Sequence, residues 1–343
     1  MSEPKNILIT RTDRIGDVIL TLPMASVLKE KIPGCKVTFL LREYTSHLAK
    51  NNPYIDEVII LDETNGKTPF IKNHKLIKEK KFDTVFAVYP RFGLALMLFL
   101  SGIKTRIGSG YRWYSILYNT KIYEHRKFGE KHELTHNINL LKAVGIENDV
   151  TEKNCRFGLE PSQENKSKIE KYLKETGIDL SKPVVIFHPG SGGSAVDLPF
   201  AKMNYLIEKT CAMPGVNVII TGDKKETEIC SALAKEKKVN NLCGQFNLGE
   251  LTALIDKSLL LIANSTGPIH IAAALGKYVI GFFPKIKACS PVRWAPFTEK
   301  KHIFTPSIEC TDCTRKQCKE LDCMNSISEE EVMKAIQNIV TNK

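Results

Sequence analysis

The sequence predicts an α/β protein built from two successive, doubly wound parallel-sheet domains. Short apolar, β-rich runs recur along the chain with helical segments between them, the signature of βαβ units. That rhythm lapses once, across the polar stretch Val150–Asn165, and then restarts. In both halves a polar, glycine-containing turn follows the first strand, where open parallel sheets bind their ligands. A chain of 343 residues is long enough for two separate cores.

Taken in order, Ile7–Thr10 is a short buried strand, followed by the turn Arg11–Asp17 and a helix expected over Val18–Lys29, ending toward Pro33-Gly34. Lys36–Leu41, Glu57–Leu61 and Thr84–Val88 read as further strands, with helices over Thr45–Asn51 and Thr68–Lys80. Past the break come a charged helix, Gln163–Thr176, and the strand Val184–His188. Pro199–Ala212 is a helix, Val216–Thr221 a strand, and Glu226–Glu236 and Leu248–Lys257 helices. Leu259–Ala263 and Tyr278–Phe283 are apolar strands on either side of the turn Asn264-Ser265-Thr266-Gly267 and a short helix opened by Pro268. Ser328–Val340 is amphipathic, and Glu329, Glu330 and Glu331 in its first turn suit the helix dipole. These boundaries give domains over 1–160 and 161–327, facing each other across a cleft, and a terminal helix over 328–343 expected to pack back on the first domain.

The apolar and charged fractions, 43% and 25%, are those of a soluble globular chain. The formal charge of +11 favours anionic partners: phosphate-bearing substrates, a membrane surface or nucleic acid. Part of the excess clusters at Lys104, Arg106, Arg112, Lys121, Arg126, Lys127 and Lys131, a run that solvated surface would also explain. No nucleic-acid-binding signature accompanies it, so no nucleic-acid partner is expected. The polar start Met1–Asn6 is no signal peptide, and the longest apolar run, Leu94–Leu100, is too short to span a bilayer. A cytoplasmic protein is expected.

Three strand-end loops of the second half carry anion and ribose chemistry together. His188-Pro189-Gly190-Ser191-Gly192-Gly193-Ser194-Ala195 reads as a backbone nest for an anion or as a flexible structural loop; it fits neither the Walker P-loop nor GxGxxG, which disfavours a reductase. Thr221–Glu226 places Glu226 where a carboxylate accepts from ribose hydroxyls or simply starts a helix. In NSTGPIH, the Ser265 and Thr266 hydroxyls, Gly267 and the free N–H groups of the helix running through His270 form either a phosphate cradle or an ordinary capped turn. Together the three loops point to a bound nucleoside diphosphate. In the first half Asp17 opens a helix, as a general base, a cap or a ribose ligand, with Asp13 its rival.

At this point the chain resembles glycosyltransferase family 9, the lipopolysaccharide heptosyltransferase family. The resemblance rests on RTDRIGDVILTLP, YRWYS, KHELTHN, HPGSGGSA, TGDKKE, NSTGPIHIAAALG and a cysteine-rich tail, and so spans nearly the whole chain. It implies the GT-B architecture: two Rossmann-like domains, acceptor mostly on the first and nucleotide-sugar on the second. It further implies inversion at the anomeric carbon, no catalytic metal and no cofactor beyond the donor, typically ADP-heptose. Asp17 matches the family's catalytic base, deprotonating the acceptor hydroxyl. Thr266, Gly267, Pro268 and His270, with Ser191, Ser194 and Ser265, would hold the diphosphate, Glu226 the ribose and Phe246 the base. The acceptor implied is a lipid-linked glycan, a lipopolysaccharide core or related surface glycan, at the inner membrane face. Arg11, Arg14 and Arg112 are its candidate contacts, and the enzyme would sit in the cytoplasm, peripheral to that membrane.

Two positions depart from the family. Val196 stands where a basic residue is common, and Ser265 where an acid is found. A missing cation weakens leaving-group stabilisation unless Lys202, Lys224 or an arginine of the first domain substitutes. The alternatives are therefore a same-fold transferase with another donor and acceptor, or a non-catalytic nucleotide- or glycan-binding protein. Cys310, Cys313, Cys318 and Cys323 have the spacing of a zinc knuckle with cysteine in place of its histidine, whereas the resemblance implies no metal there; structural zinc and reduced thiols both remain open.

Overall fold

A computed structural model describes residues 4–64, 66–147, 149–309 and 313–342. It divides into two units, Met1–Arg126 with Glu133–Glu160, and Lys127–His132 with Pro161–Lys343.

The first unit carries a six-stranded sheet of β1 (Asn6–Thr10), β2 (Lys36–Arg42), β3 (Glu57–Leu61), β4 (Thr84–Ala87), β5 (Thr105–Ser109) and β6 (Thr120–Ile122). Every pairing is parallel and the order is β3-β2-β1-β4-β5-β6. Ile9 sits opposite both Phe39 and Phe86, so the central strands are buried on both faces, as a covered parallel sheet requires. Its helices are α1 (Ile15–Ile19), α2 (Pro23–Lys31), α3 (Phe70–Glu79), α4 (Phe92–Leu100) and α5 (Glu133–Asn139).

The single helix expected over Val18–Lys29 is thus two. Pro23 has no N–H to continue the ladder, so α1 ends at Ile19 and Pro23 opens α2 in its first turn. Likewise Thr45–Asn51 is not α-helical; the chain makes a 3₁₀ turn at Glu43–Leu48. The basic stretch from Lys104 includes two strands, β5 and β6, that its composition did not announce.

The second unit repeats the plan with β7 (Val184–His188), β8 (Asn217–Ile220), β9 (Asn240–Asn241), β10 (Leu260–Asn264), β11 (Tyr278–Phe282) and β12 (Lys301–Phe304). These are again all parallel, ordered β12-β11-β10-β7-β8-β9, the same winding read from the other edge. The helices are α6 (Gln163–Glu175), α7 (Phe200–Cys211), α8 (Thr227–Ala234), α9 (Leu248–Asp256), α10 (Gly267–Ala274), α11 (Pro291–Trp294), α12 (Arg315–Glu320) and α13 (Glu329–Thr341).

The terminal helix differs from its expected placement. Ser328 caps α13, its hydroxyl accepting from the Glu331 N–H at 3.2 Å. Val332, Met333, Ala335, Ile336 and Ile339 then join Met203, Leu206 and Ile207 of α7 in the core of the second unit, not the first. Among the described residues no helix is long and apolar enough to cross a membrane.

In each sheet the winding reverses beside the first strand, between β1 and β4 and between β7 and β10. Ligands of such sheets bind outside the carboxyl ends of the strands at that reversal. The loops there are Arg11–Asp17 in one unit, and His188–Ala195 and Asn264–Gly267 in the other.

Candidate functional site

At the carboxyl end of β1 the controlling side chain is Arg11. Only 2% exposed, its guanidinium donates from Nε to Asp13 at 2.8 Å, and also to Asp17, to Glu133 at 3.3 Å and to Asn137 Oδ1 at 3.2 Å. Glu133 and Asn137 lie four residues apart on α5 and therefore share a face. Asn137 also donates to the Leu20 carbonyl at 2.9 Å, tying α5 to the end of α1. Expected to contact the acceptor, Arg11 instead turns inward and fixes the Asp17 carboxylate. Arg14 and Arg112 are exposed and open to solvent.

Three carboxylates share this guanidinium, and Arg126 pairs with Glu133 as well. Burial alone would push the Arg11 guanidinium down, but Asp17, Asp13 and Glu133 more than reverse it and its pKa rises. Burial lifts the Asp13 carboxyl, Arg11 opposes and Asp17 adds to the rise, to about 6. Tyr44 donates its hydroxyl to the Asp13 carbonyl at 2.5 Å and lines a hollow of about 730 Å³ off the ends of β2 and β3. Arg42, Asp62, Glu63, Lys72 and Asn73 share that lining with Ile60, Leu61 and Leu76, and its charges pair within it, Arg42 with Glu63 at 2.6 Å and Lys72 with Asp62.

In the second unit the loops are braced to one another. Glu226 accepts from the Asp223 N–H at 2.9 Å, closing a capping box, and from the Gly192 N–H at 3.3 Å. Gly190 passes so close that a Cβ there would run into the Glu226 carboxylate. Gly192 and Gly193 adopt left-handed φ of 56° and 75°, the conformation that turns this loop and that favours glycine. The Ser194 hydroxyl is shared between the Ser191 carbonyl at 2.8 Å and the Ser265 carbonyl at 2.7 Å. Buried Asn264 adds a second brace, donating to the Pro189 carbonyl at 2.5 Å and accepting from the Leu198 N–H at 2.8 Å.

At the start of α10, Thr266 is extended, with no capping hydrogen bond from its side chain, and half-exposed with Gly267. The Thr266 hydroxyl and the first N–H groups of the helix are thus placed to meet an anion. Ser265 is buried beneath them. His270 is also buried, and burial, with His132 nearby, drives its pKa down to about 3. A neutral imidazole with Nδ1 unpaired offers a ring N–H and not a charge. His188 lies 3.0 Å from the Thr221 hydroxyl, and burial lowers its pKa against the pull of Glu226. Phe246 is half-buried, edge-on to Tyr172 of α6 at 5.2 Å.

Val196 has a physical reason to be apolar. It packs against a cluster of Ile286, Cys289, Cys318 and Cys323, with Cys313 at its edge. Of the expected substitute cations, Lys202 pairs with Glu329 at 3.2 Å, while Lys224 is exposed. The cation that does reach the glycine loop is Arg315 of α12, donating to the Gly193 carbonyl at 2.7 Å and the Ser194 carbonyl at 2.6 Å. Cys310 lies outside the described residues, so the four-cysteine set cannot be assembled; among the described residues no group of three or more ligating side chains is arranged to hold a metal.

Glu133, Asn137, Asn264 and Arg315 are not among the residues the sequence singles out. The first two do carry a signal, polar residues four apart on a helix within the KHELTHN segment. Asn264, a polar residue ending a wholly apolar strand, carries another. Arg315 lies 121 residues from the loop it holds and carries none.

Comparison with known proteins gives three results of one kind. The profile of glycosyltransferase family 9 (heptosyltransferase) matches residues 71–324. A Haemophilus influenzae relative that carries only the general name of a glycosyltransferase is 32% identical over 320 residues, covering 88% of this chain and 89% of its own. Among solved structures, a family 9 glycosyltransferase from Veillonella parvula superposes with a TM-score of 0.84 at 20% identity, covering 99% of this chain and 98% of that one. The Escherichia coli ADP-heptose lipopolysaccharide heptosyltransferase II follows at 0.77 and 19%, covering 98% and 99%. Both structural likenesses are to GT-B folds.

Proposed function

The chain belongs to glycosyltransferase family 9, the heptosyltransferase family, and from that premise we propose that it moves a heptose or similar sugar from a nucleotide-sugar, ADP-heptose first among them, to a lipopolysaccharide core or related surface-glycan acceptor. The observation that carries the reading is the Asp17 carboxylate, held by buried Arg11 at the carboxyl end of β1. One oxygen of Asp17 is engaged by the guanidinium; the other is left to accept a proton. As the acceptor hydroxyl attacks the anomeric carbon, its proton passes to Asp17, the bond from that carbon to the diphosphate oxygen breaks, and the configuration inverts.

Charge accumulates on the departing diphosphate. The reading assigns it to the N–H groups opening α10, the Thr266 hydroxyl and the glycine loop, with no metal required. Glu226 would accept from the ribose with the lone pairs its two backbone bonds leave free, and Phe246 would flank the base. The hollow beside Tyr44, with Arg14 and Arg112, is the proposed place for the acceptor, presented as a lipid-linked glycan to an enzyme peripheral to the inner face of the membrane. A second reading, the same chemistry with a different donor sugar, is favoured by Val196, a half-buried apolar residue packed on the cysteine cluster where the family commonly has a basic one.

Asp17→Asn decides the matter. It should abolish transfer while ADP binds within about twofold of wild type, since no donor contact is lost; full activity would refute the base. A donor screen that reads ADP, or another nucleotide, released only when acceptor is present separates the two readings.

A further inference from the structure

No residue of α4 is polar: Phe92–Leu100 reads FGLALMLFL. A helix apolar on every side belongs inside a core, and Leu94, Ala95, Met97 and Leu98 are inside one. On the other side the Arg106 guanidinium lies 5.2 Å over the Phe99 ring, and the remaining apolar side chains face outward. Phe92, Leu96, Phe99 and Leu100, at i, i+4, i+7 and i+8, form an outward stripe, with Phe92, Phe99 and Leu100 about half exposed. The neighbouring turn prolongs it. The Trp113 ring lies 4.8 Å from that of Phe92, and Trp113 and Ile116 are each 79% exposed. Between them in sequence, Tyr114 packs into the same core as α4, as do Leu117 and Tyr118, so the two outward faces adjoin.

The stretch of chain that builds this surface carries charge of one sign. From Thr84 to Tyr123 the chain holds no aspartate or glutamate, while Arg91, Lys104, Arg106, Arg112 and Lys121 fall in the same span. Arg91, Lys104, Arg112 and Lys121 are exposed. A contiguous apolar patch with tryptophan and phenylalanine inside a basic border is the surface chemistry of a protein that lies on a bilayer.

We propose that this face of the first unit, α4 with the turn at Trp113–Ile116, docks on an anionic lipid surface. The apolar side chains enter the boundary between headgroups and acyl chains, and the surrounding lysines and arginines pair with lipid phosphates. Charge decides for a lipid occupant: a bilayer offers an apolar interior behind a continuous negative sheet, whereas a second copy of this face would bring the same positive border against it. The inference deepens the reading above by supplying the enzyme's place beside a lipid-linked acceptor. Vesicle binding needs neither donor nor acceptor, so the two can fail separately.

The experiment is flotation of the full chain with vesicles of phosphatidylethanolamine and phosphatidylglycerol, against vesicles of phosphatidylcholine alone. Wild type should float with the first and far less with the second. Phe99→Ser/Ile116→Ser should lower partition about tenfold or more, while near-native circular dichroism and a cooperative melt show the variant folded. Lys104→Gln/Lys121→Gln should weaken it and flatten its salt dependence. In a Trp294→Phe background Trp113 is the sole tryptophan, and its emission should shift to the blue on anionic vesicles and be quenched by brominated acyl chains. Any of three results overturns the proposal: no partition by wild type, equal partition by the Phe99→Ser/Ile116→Ser variant, or Trp113 left unquenched. A wild-type dimer that the same variant converts to monomer would assign the face to a second copy and also overturn it.

Discussion

Replacing Arg11 by methionine tests the electrostatics of the β1 terminus directly. The substitution keeps much of the buried volume and removes one charge from among Asp13, Asp17 and Glu133, while Arg126 stays paired with Glu133. Removing one partner of a buried ion pair typically costs about 3–5 kcal/mol, because the other charge is stranded. With two aspartates stranded here, the loss at pH 7.5 belongs at the upper end of that range. The pH dependence follows from the Asp13 carboxyl, raised from 3.8 to about 6 in the folded chain. A raised carboxyl binds its proton more tightly when folded, so stability falls as pH climbs from the unfolded value through the folded one. Without Arg11, which opposes the rise at Asp13, that window extends upward. Arg11→Met should therefore lose less at pH 5 than at pH 7.5, by about 1–3 kcal/mol, since moving a carboxyl's pKa by one is worth about 1.4 kcal/mol. Amide exchange of β1, β2 and β4 against urea, at both pH values, reads the first unit by itself. A loss below about 1 kcal/mol, or an equal loss at both pH values, would show that the carboxylates do not depend on Arg11.

Gly190→Ala forces Glu226 out of its seat and frees the Gly192 and Asp223 N–H groups. Both N–H groups are exposed and water can take over their bonds, so the loss should stay at about 1 kcal/mol while ADP binding by calorimetry weakens; unaltered binding would remove Glu226 from the nucleotide site. Asn264→Leu strands the Pro189 carbonyl and the Leu198 N–H; its expected cost of about 2–4 kcal/mol is read as a lowered unfolding temperature. Val196→Lys restores the family's cation but sets it against the cysteine cluster. It should lower stability by about 1–3 kcal/mol with no gain in donor affinity, and a lower KM at unchanged melting temperature would contradict that packing.

Much of the fold was legible because its central strands are buried on both faces and so read as apolar runs. β1, β2, β7, β10 and β11 all announced themselves this way. The strands that did not, β5, β6, β9 and β12, are short and carry half-buried or exposed positions, so partner strands and not composition hold them in place. The loops at the strand ends were legible as glycine and hydroxyl clusters. What they are tied to was not. The partners of Arg11 lie 122 and 126 residues away on α5, and such pairings leave no periodicity in the sequence. Arg11 itself shows the hazard: an arginine in a ligand-facing loop looks like a binding group until its burial and its partners are seen. The terminal helix misled for a different reason. Its amphipathic pattern promised an apolar face but could not say which unit would cover it.

The Ser194 latch closes on the main-chain carbonyl of residue 265, not on its side chain. The identity of residue 265 is thereby uncoupled from the bond that joins the glycine loop to the loop after β10. Replacements of similar size can accumulate there without unfastening anything, while a change at Asn264, one residue earlier, breaks the brace. Adjacent positions are thus held through different atoms, Asn264 by its side chain and Ser265 by its main chain. For anyone wishing to redirect such an enzyme to a new donor, position 265 is the natural site for a saturation library, and 264 the one to leave alone.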